Sequence, residues 1–166
     1  MAGVVITDAS PLIGLARIDG LLWLKSLFGD VWMPPEVRAE VISSGLTNQK
    51  FVGEAAILNA EQQGWLRVAQ PALASPELPD LDEGEAACIR IALAQPAPTL
   101  LLMDERAGRA VASELGLRVA GTAAVIGMAK SRGLIPSARD AFARLHASDF
   151  RISGEVIATI LLRVGE

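Results

Sequence analysis

An α/β fold, with helices wrapped around a mostly parallel sheet, is the architecture that this sequence of 166 residues predicts. Two observations predict it. Short apolar or β-branched runs alternate with helix-length stretches along the chain, the pattern of parallel strands joined by crossover helices. The composition, 51% apolar and 20% charged, supplies the buried surface that a sheet covered on both faces needs. A mean hydropathy of +0.38 points the same way, or to surface used in association.

Val4-Val5-Ile6-Thr7 reads as a buried strand ending at Asp8. Ser10-Pro11 then starts a helix, with Ser10 as N-cap and proline in the first turn. Val31-Trp32-Met33 is a second strand, and Pro34-Pro35 opens a helix through Glu36 to Ser43, closed by Ser44-Gly45. A helix from about Phe51 to Gln63 stops at Gly64, and a strand runs from Trp65 to Ala69. Pro71, Pro76 and Pro79 make the following stretch a loop. Next come a helix from about Glu83 to Ala94, a strand from Thr99 to Met103 ending at Asp104, and a helix from Arg106 to Leu115. Gly116 ends that helix, and Leu117 to Ala120 forms the last strand. Gly121-Thr122 leads into a helix to about Arg132, and two more follow Pro136 and Ser153. The length fits one domain over residues 1–166, with no internal repeat.

Several chemistries are excluded. The single cysteine, Cys88, rules out an internal disulfide and a thiolate zinc site. One histidine, His146, cannot supply a two-histidine ribonuclease mechanism within one chain. The apolar stretch from Val119 to Ala129 stops at Lys130, short of the roughly 18 residues that span a bilayer. With no basic, long apolar start at the N-terminus, the expectation is a cytoplasmic protein without a signal peptide or membrane contact. The net charge of −4 argues mildly against gripping nucleic acid by bulk charge alone, and does not exclude a site whose acids hold metal ions.

Asp8 and Asp104 occupy equivalent positions, each after an apolar strand and before a helix. Both should lie at the carboxyl edge of the sheet, where open α/β sheets bind ligands. Aspartate is also a common N-cap, an explanation weakened for Asp8 by Ser10. Glu85 shares a helical face with Cys88, Ile89 and Ala92, whereas Glu83 points outward. An inward carboxylate needs a partner or a cation. A capping box between Asp82 and Glu85 accounts equally well for the spacing. Glu40 lies beside Val37 and Val41, and a solvated helix glutamate is its simplest reading; Glu36 is an ordinary first-turn acid.

Together VVITDASPLIGLA, PPEVRAEV, LDEGEAACIRIA and LLMDERAGRAVA, followed by GLRVAGT, resemble the PIN-domain superfamily over nearly the whole chain. The likeness is closest to the PIN-like branch beside toxin–antitoxin genes, including VapC-type toxins. It implies a three-layer α/β/α sandwich and a metal-dependent ribonuclease. Asp8, Glu40, Glu85 and Asp104 would form a catalytic, metal-holding acidic pocket, with Ser10 as a polar helper near Asp8. Mg²⁺ or Mn²⁺ suits such a donor set, because hard cations prefer carboxylate oxygens and relieve their mutual repulsion. RNA is the implied substrate and an antitoxin protein the implied partner. Many PIN nucleases carry aspartate at the Glu85 position, and some carry an acid at Thr122. Those departures favour the rival reading, an inactive PIN-like module that binds nucleic acid or protein. An aspartyl phosphatase ranks last, since Ser10 stands where a second aspartate is wanted.

Arg106 and Arg109 could steady a substrate phosphate, although solvated helix arginines are commoner. Arg109 is the better substrate-binding candidate, since the resembling branch tends to carry arginine in this helix. Cys88 reads as core and His146 as a surface or capping residue. Leu21 to Phe28 holds more apolar residues than one helix face needs, which suggests burial plus a homodimer or antitoxin surface.

Overall fold

The five apolar runs become five strands of one sheet in the computed structural model, which describes residues 3–42 and 53–166. They are β1 (Val4–Thr7), β2 (Val31–Met33), β3 (Leu66–Val68), β4 (Thr99–Leu102) and β5 (Arg118–Ala120). Their order is β3-β2-β1-β4-β5, and every neighbouring pair is parallel. The expected sheet was mostly parallel; this one is wholly so. Ile6, Val31, Leu66 and Leu101 are completely buried along it, as both covered faces require.

The described helices are α1 (Ala9–Arg17), α2 (Leu21–Phe28), α3 (Pro35–Val41), α4 (Glu54–Gln62) and α5 (Glu83–Leu93). They continue with α6 (Arg106–Glu114), α7 (Thr122–Ser131), α8 (Ala138–Ala147) and α9 (Gly154–Val164). Helices cover both faces of the sheet, giving the three-layer sandwich. On one side α1 packs with α2, α4, α7 and α8, while on the other α5 packs with α6. One core joins both layers, from Leu12 and Leu24 through Ile89 to Phe142 and Leu145. No helix among the described residues is long and apolar enough to cross a membrane.

Two expectations need comment. The helix after β1 begins at Ala9, not after Ser10, and Asp8 occupies the N-cap position. The chain passes from strand to helix without an intervening turn, so Ser10 is already inside the first turn and its hydroxyl is free for another partner. The residues expected to end α3, Ser43, Ser44 and Gly45, lie outside the described residues, as does the expected start of α4 at Phe51.

From β1 the chain moves outward to β2 and β3, then returns to place β4 and β5 on the other side. The direction of winding therefore reverses between β1 and β4. Parallel sheets open a crevice at such a switch point, beyond the carboxyl ends of the strands. Asp8 follows β1 and Asp104 follows β4 closely, so the fold sets both acids there.

Candidate active site

Asp8 is anchored by its backbone, whose N–H donates to the Leu102 carbonyl at 2.9 Å. This bond ties the end of β1 to the end of β4. Although Asp8 is the N-cap residue, its side chain makes no capping bond. Only 5% of the residue is exposed. Burial pushes its carboxyl up to about 7, opposed by the Ala9 N–H and reinforced by the negative charges of Asp82, Glu85 and Glu40. Cys88 lies completely buried beneath, its Sγ donating to the Thr7 carbonyl at 3.5 Å. Burial, then the nearby carboxylates, raise its thiol well above the usual range, so it is a core residue and not a nucleophile.

Both readings of Glu85 hold at once. Its backbone N–H donates to Asp82 Oδ1 at 2.8 Å, and Glu85 Oε2 accepts from the Asp82 N–H at 3.3 Å, closing the capping box. The residue is also only 5% exposed, on the inward face expected for it, while Glu83 is exposed. Burial and then the charge of Asp82 raise its carboxyl, with Glu105 and Glu40 adding to the effect. Two glycines make the crowding feasible. A Cβ on Gly84 would lie 3.1 Å from Asp8 Oδ1 and 3.5 Å from Asp82 Oδ1. On Gly108 of α6 it would lie 3.2 Å from Glu85 Oε1. The bare backbones of α5 and α6 thus border the acidic cleft directly.

Asp104 is held differently. Its Oδ1 accepts from the Thr122 N–H at 2.7 Å, and its Oδ2 accepts from the Thr122 hydroxyl at 2.7 Å and the Ser10 hydroxyl at 2.9 Å. Ser10 was expected to assist Asp8. Its hydroxyl bonds to Asp104, because in the first turn of α1 its side chain faces the neighbouring strand's end. Thr122, at the position where an acid was a conceivable alternative, is the clamp on Asp104. Arg109 donates from Nη1 to the Met103 carbonyl at 3.0 Å, and Gly121 leaves room for both side chains.

Glu40 sits at an exposed position on α3, yet its carboxyl is raised by partial burial and by Asp82. The structure therefore brings Asp8, Glu40 and Glu85 within electrostatic reach of one another; Asp104 stands at the end of the neighbouring strand, bonded to Ser10 and Thr122, and is not among the charges that act on those three. Sequence reasoning undervalued two acids. Asp82 acts on all three of those carboxyls. Glu36 faces Cys88 with Asp8, and its Oε2 is buried with no hydrogen-bond partner. The density of acids in LDEGE was the available signal for Asp82; Glu36 had none beyond its place one turn before Glu40.

The donor set is all oxygen, Asp8 and Glu85 are buried among like charges, and one oxygen of Glu36 is orphaned. That chemistry fits a hard divalent cation. As the side chains stand, no three acids among the described residues converge closely enough to form a metal-holding group.

A parallel five-stranded sandwich with paired acids at its switch point defines a nuclease-type fold of the PIN class. Residues 4–166 match the DUF3368 PIN-domain family, and the chain belongs to it. No curated protein matches the chain.

Proposed function

We propose that this protein is a metal-dependent endoribonuclease, with Asp8, Glu40, Glu85 and Asp104 as the catalytic and metal-holding acids. The observation that carries this reading is the buried Asp8 carboxyl, held up to about 7 at the sheet's switch point. Burying an acid among other acids costs stability unless a cation compensates it. Mg²⁺ or Mn²⁺ bound there would activate water and neutralise charge developing on the phosphate. Thr122 and Ser10 hold Asp104 in one orientation, and Asp82 fixes Glu85 through the capping box. Arg109, beside Asp104 and bonded through Nη1 to the Met103 carbonyl, would receive a substrate phosphate through its remaining N–H groups. One domain, residues 1–166, carries the activity in the cytoplasm, and the biological setting is the toxin half of a toxin–antitoxin pair.

Cleavage of single-stranded RNA in Mg²⁺ or Mn²⁺ tests this. Asp8→Asn and Asp104→Asn should each lower the rate at least a hundredfold, while Glu83→Ala stays active. Cleavage that persists in excess EDTA would remove the mechanism.

A second reading, a nucleic-acid- or protein-binding module without catalysis, rests on Glu85 and Thr122, which stand where other PIN nucleases carry aspartate or a further acid. It keeps RNA binding and predicts no metal-dependent turnover.

A further inference from the structure

Asp104 does for α7 what its own N-cap residue cannot. Gly121 holds the N-cap position without a side chain to offer. Asp104 Oδ1 instead accepts the N–H of Thr122, the first residue of α7, at 2.7 Å, satisfying one of the open donors of that helix end. The same threonine turns its hydroxyl onto Oδ2, also at 2.7 Å, and Ser10 donates to Oδ2 from α1 at 2.9 Å. Thr122 is completely buried, so its hydroxyl meets no solvent. The backbone bond survives any side chain at position 122, whereas the bond to Oδ2 needs the hydroxyl.

An ionised carboxylate offers about four lone pairs, two on each oxygen. Three donors leave Asp104 one, on Oδ1. Both lone pairs of Oδ2 are taken, by hydroxyls from two different helices. A bidentate hold on a cation needs a free lone pair on each oxygen, so that mode is closed at Asp104. The choice of ion follows from this. Ca²⁺ accepts bidentate carboxylates within a flexible shell of about six to eight oxygens. Mg²⁺ is smaller and holds to octahedral geometry, in which the narrow bite of one carboxylate cannot span two positions at a right angle. Mn²⁺ shares that octahedral preference for oxygen ligands.

Resting on the reading of Asp104 as a metal-holding acid, we infer that Thr122 is a specificity-determining residue. Its hydroxyl, with that of Ser10, confines Asp104 to one coordinating oxygen and so favours Mg²⁺ and Mn²⁺ over Ca²⁺. Thr122 touches no ion; it is a positioning residue that acts through Asp104.

Calorimetric titration of the full chain with Mn²⁺ and, separately, with Ca²⁺ tests this without reference to cleavage. The wild type should bind Mn²⁺ more tightly. T122V removes the hydroxyl at nearly constant volume and should narrow the ratio of the two dissociation constants roughly tenfold, weakening Mn²⁺ and sparing Ca²⁺. T122S keeps the hydroxyl and should return the ratio close to that of the wild type. S10A, which frees Oδ2 from the side of α1, should shift the ratio in the same direction, and it carries the test if T122V does not fold. Loosened packing of α7 would weaken both ions together and leave the ratio alone, and melting in EDTA reports such loosening separately. A wild-type ratio in folded T122V, or in S10A where T122V does not fold, overturns the assignment, as does a T122S ratio equal to that of T122V. Mn²⁺ affinity that D104N leaves unchanged overturns it too, by removing Asp104 from the metal-holding acids. A protein that cleaves RNA in Mn²⁺ yet keeps its ratio in these variants sinks the role of Thr122 and leaves the nuclease. One whose ratio shifts as stated but which never cleaves does the reverse.

Discussion

At Asp8 a single buried carboxyl ties the stability of the fold to pH. Its value in the folded chain, about 7, lies above its ordinary 3.8 because burial and neighbouring acids disfavour the charge. An acid with a raised folded value destabilises the fold wherever it is ionised. The penalty is absent below about pH 4, grows toward 7 and is complete above it, reaching at most about 4 kcal/mol. Asp8→Asn should therefore stabilise the metal-free protein at pH 8 and leave it unchanged near pH 4. Thermal melting in EDTA at the two values checks this. Equal effects at both would mean that the asparagine alters packing and not charge. The same residue exposes a limit of local reading. Ser10-Pro11 carries a cap signal that outweighs the aspartate two residues earlier, so the start of α1 was misplaced. Ser10's actual partner, Asp104, is 94 residues away and no local pattern could name it.

Among the elements, the strands were legible because each is a short apolar run with a clear terminator, such as Asp8 after Val4–Thr7 or Pro34 after Met33. The inward face of α5 was legible too, because Glu85, Cys88, Ile89 and Ala92 follow helical spacing and all are buried. The hold of Thr122 on Asp104 was not, since the end of β4 and the start of α7 meet only through tertiary packing. Gly108 on α6 allows a test of how closely two elements must approach. In an isolated helix alanine would be favoured over glycine by roughly 1 kcal/mol. Here its Cβ would lie 2.6 Å from Met103 Sδ and press on the Glu85 carboxylate. Gly108→Ala should reverse the usual sign and destabilise by about 1–3 kcal/mol. It should also weaken Mn²⁺ binding, which calorimetric titration reads separately from melting. A variant that is both more stable and normal in metal affinity would show that α6 can retreat without cost.

For the whole molecule, a cation that binds only the folded chain must stabilise it. Mn²⁺ at about a hundred times its dissociation constant contributes about 2.7 kcal/mol, a rise of roughly 5–10 °C in Tm for a chain of this size. The rise should nearly vanish in Asp8→Asn; an identical rise would place the ion elsewhere. The outer surface makes a second demand. Leu22 on α2 is 58% exposed and Leu162 on α9 is 83% exposed, and the first lies in the apolar stretch for which an association surface was expected. Light scattering at tens of micromolar should give a mass above the 17.5 kDa of one chain. A strict monomer would assign that surface to a different protein partner.

The bond from the Ser10 hydroxyl to Asp104 has one more consequence, set by time and not by space. Chains emerge from the ribosome N-terminus first, at about 5–20 residues per second. Asp8 and Ser10 are made early, yet their counterpart is 94 residues downstream of Ser10, and the clamp at Thr122 comes later still. β1 cannot gain its β4 neighbour, nor the cleft its second aspartate, until the 94 residues that follow Ser10 have been translated. Throughout that interval the nascent chain holds only half of the acidic pair, and the crevice at the switch point has one wall.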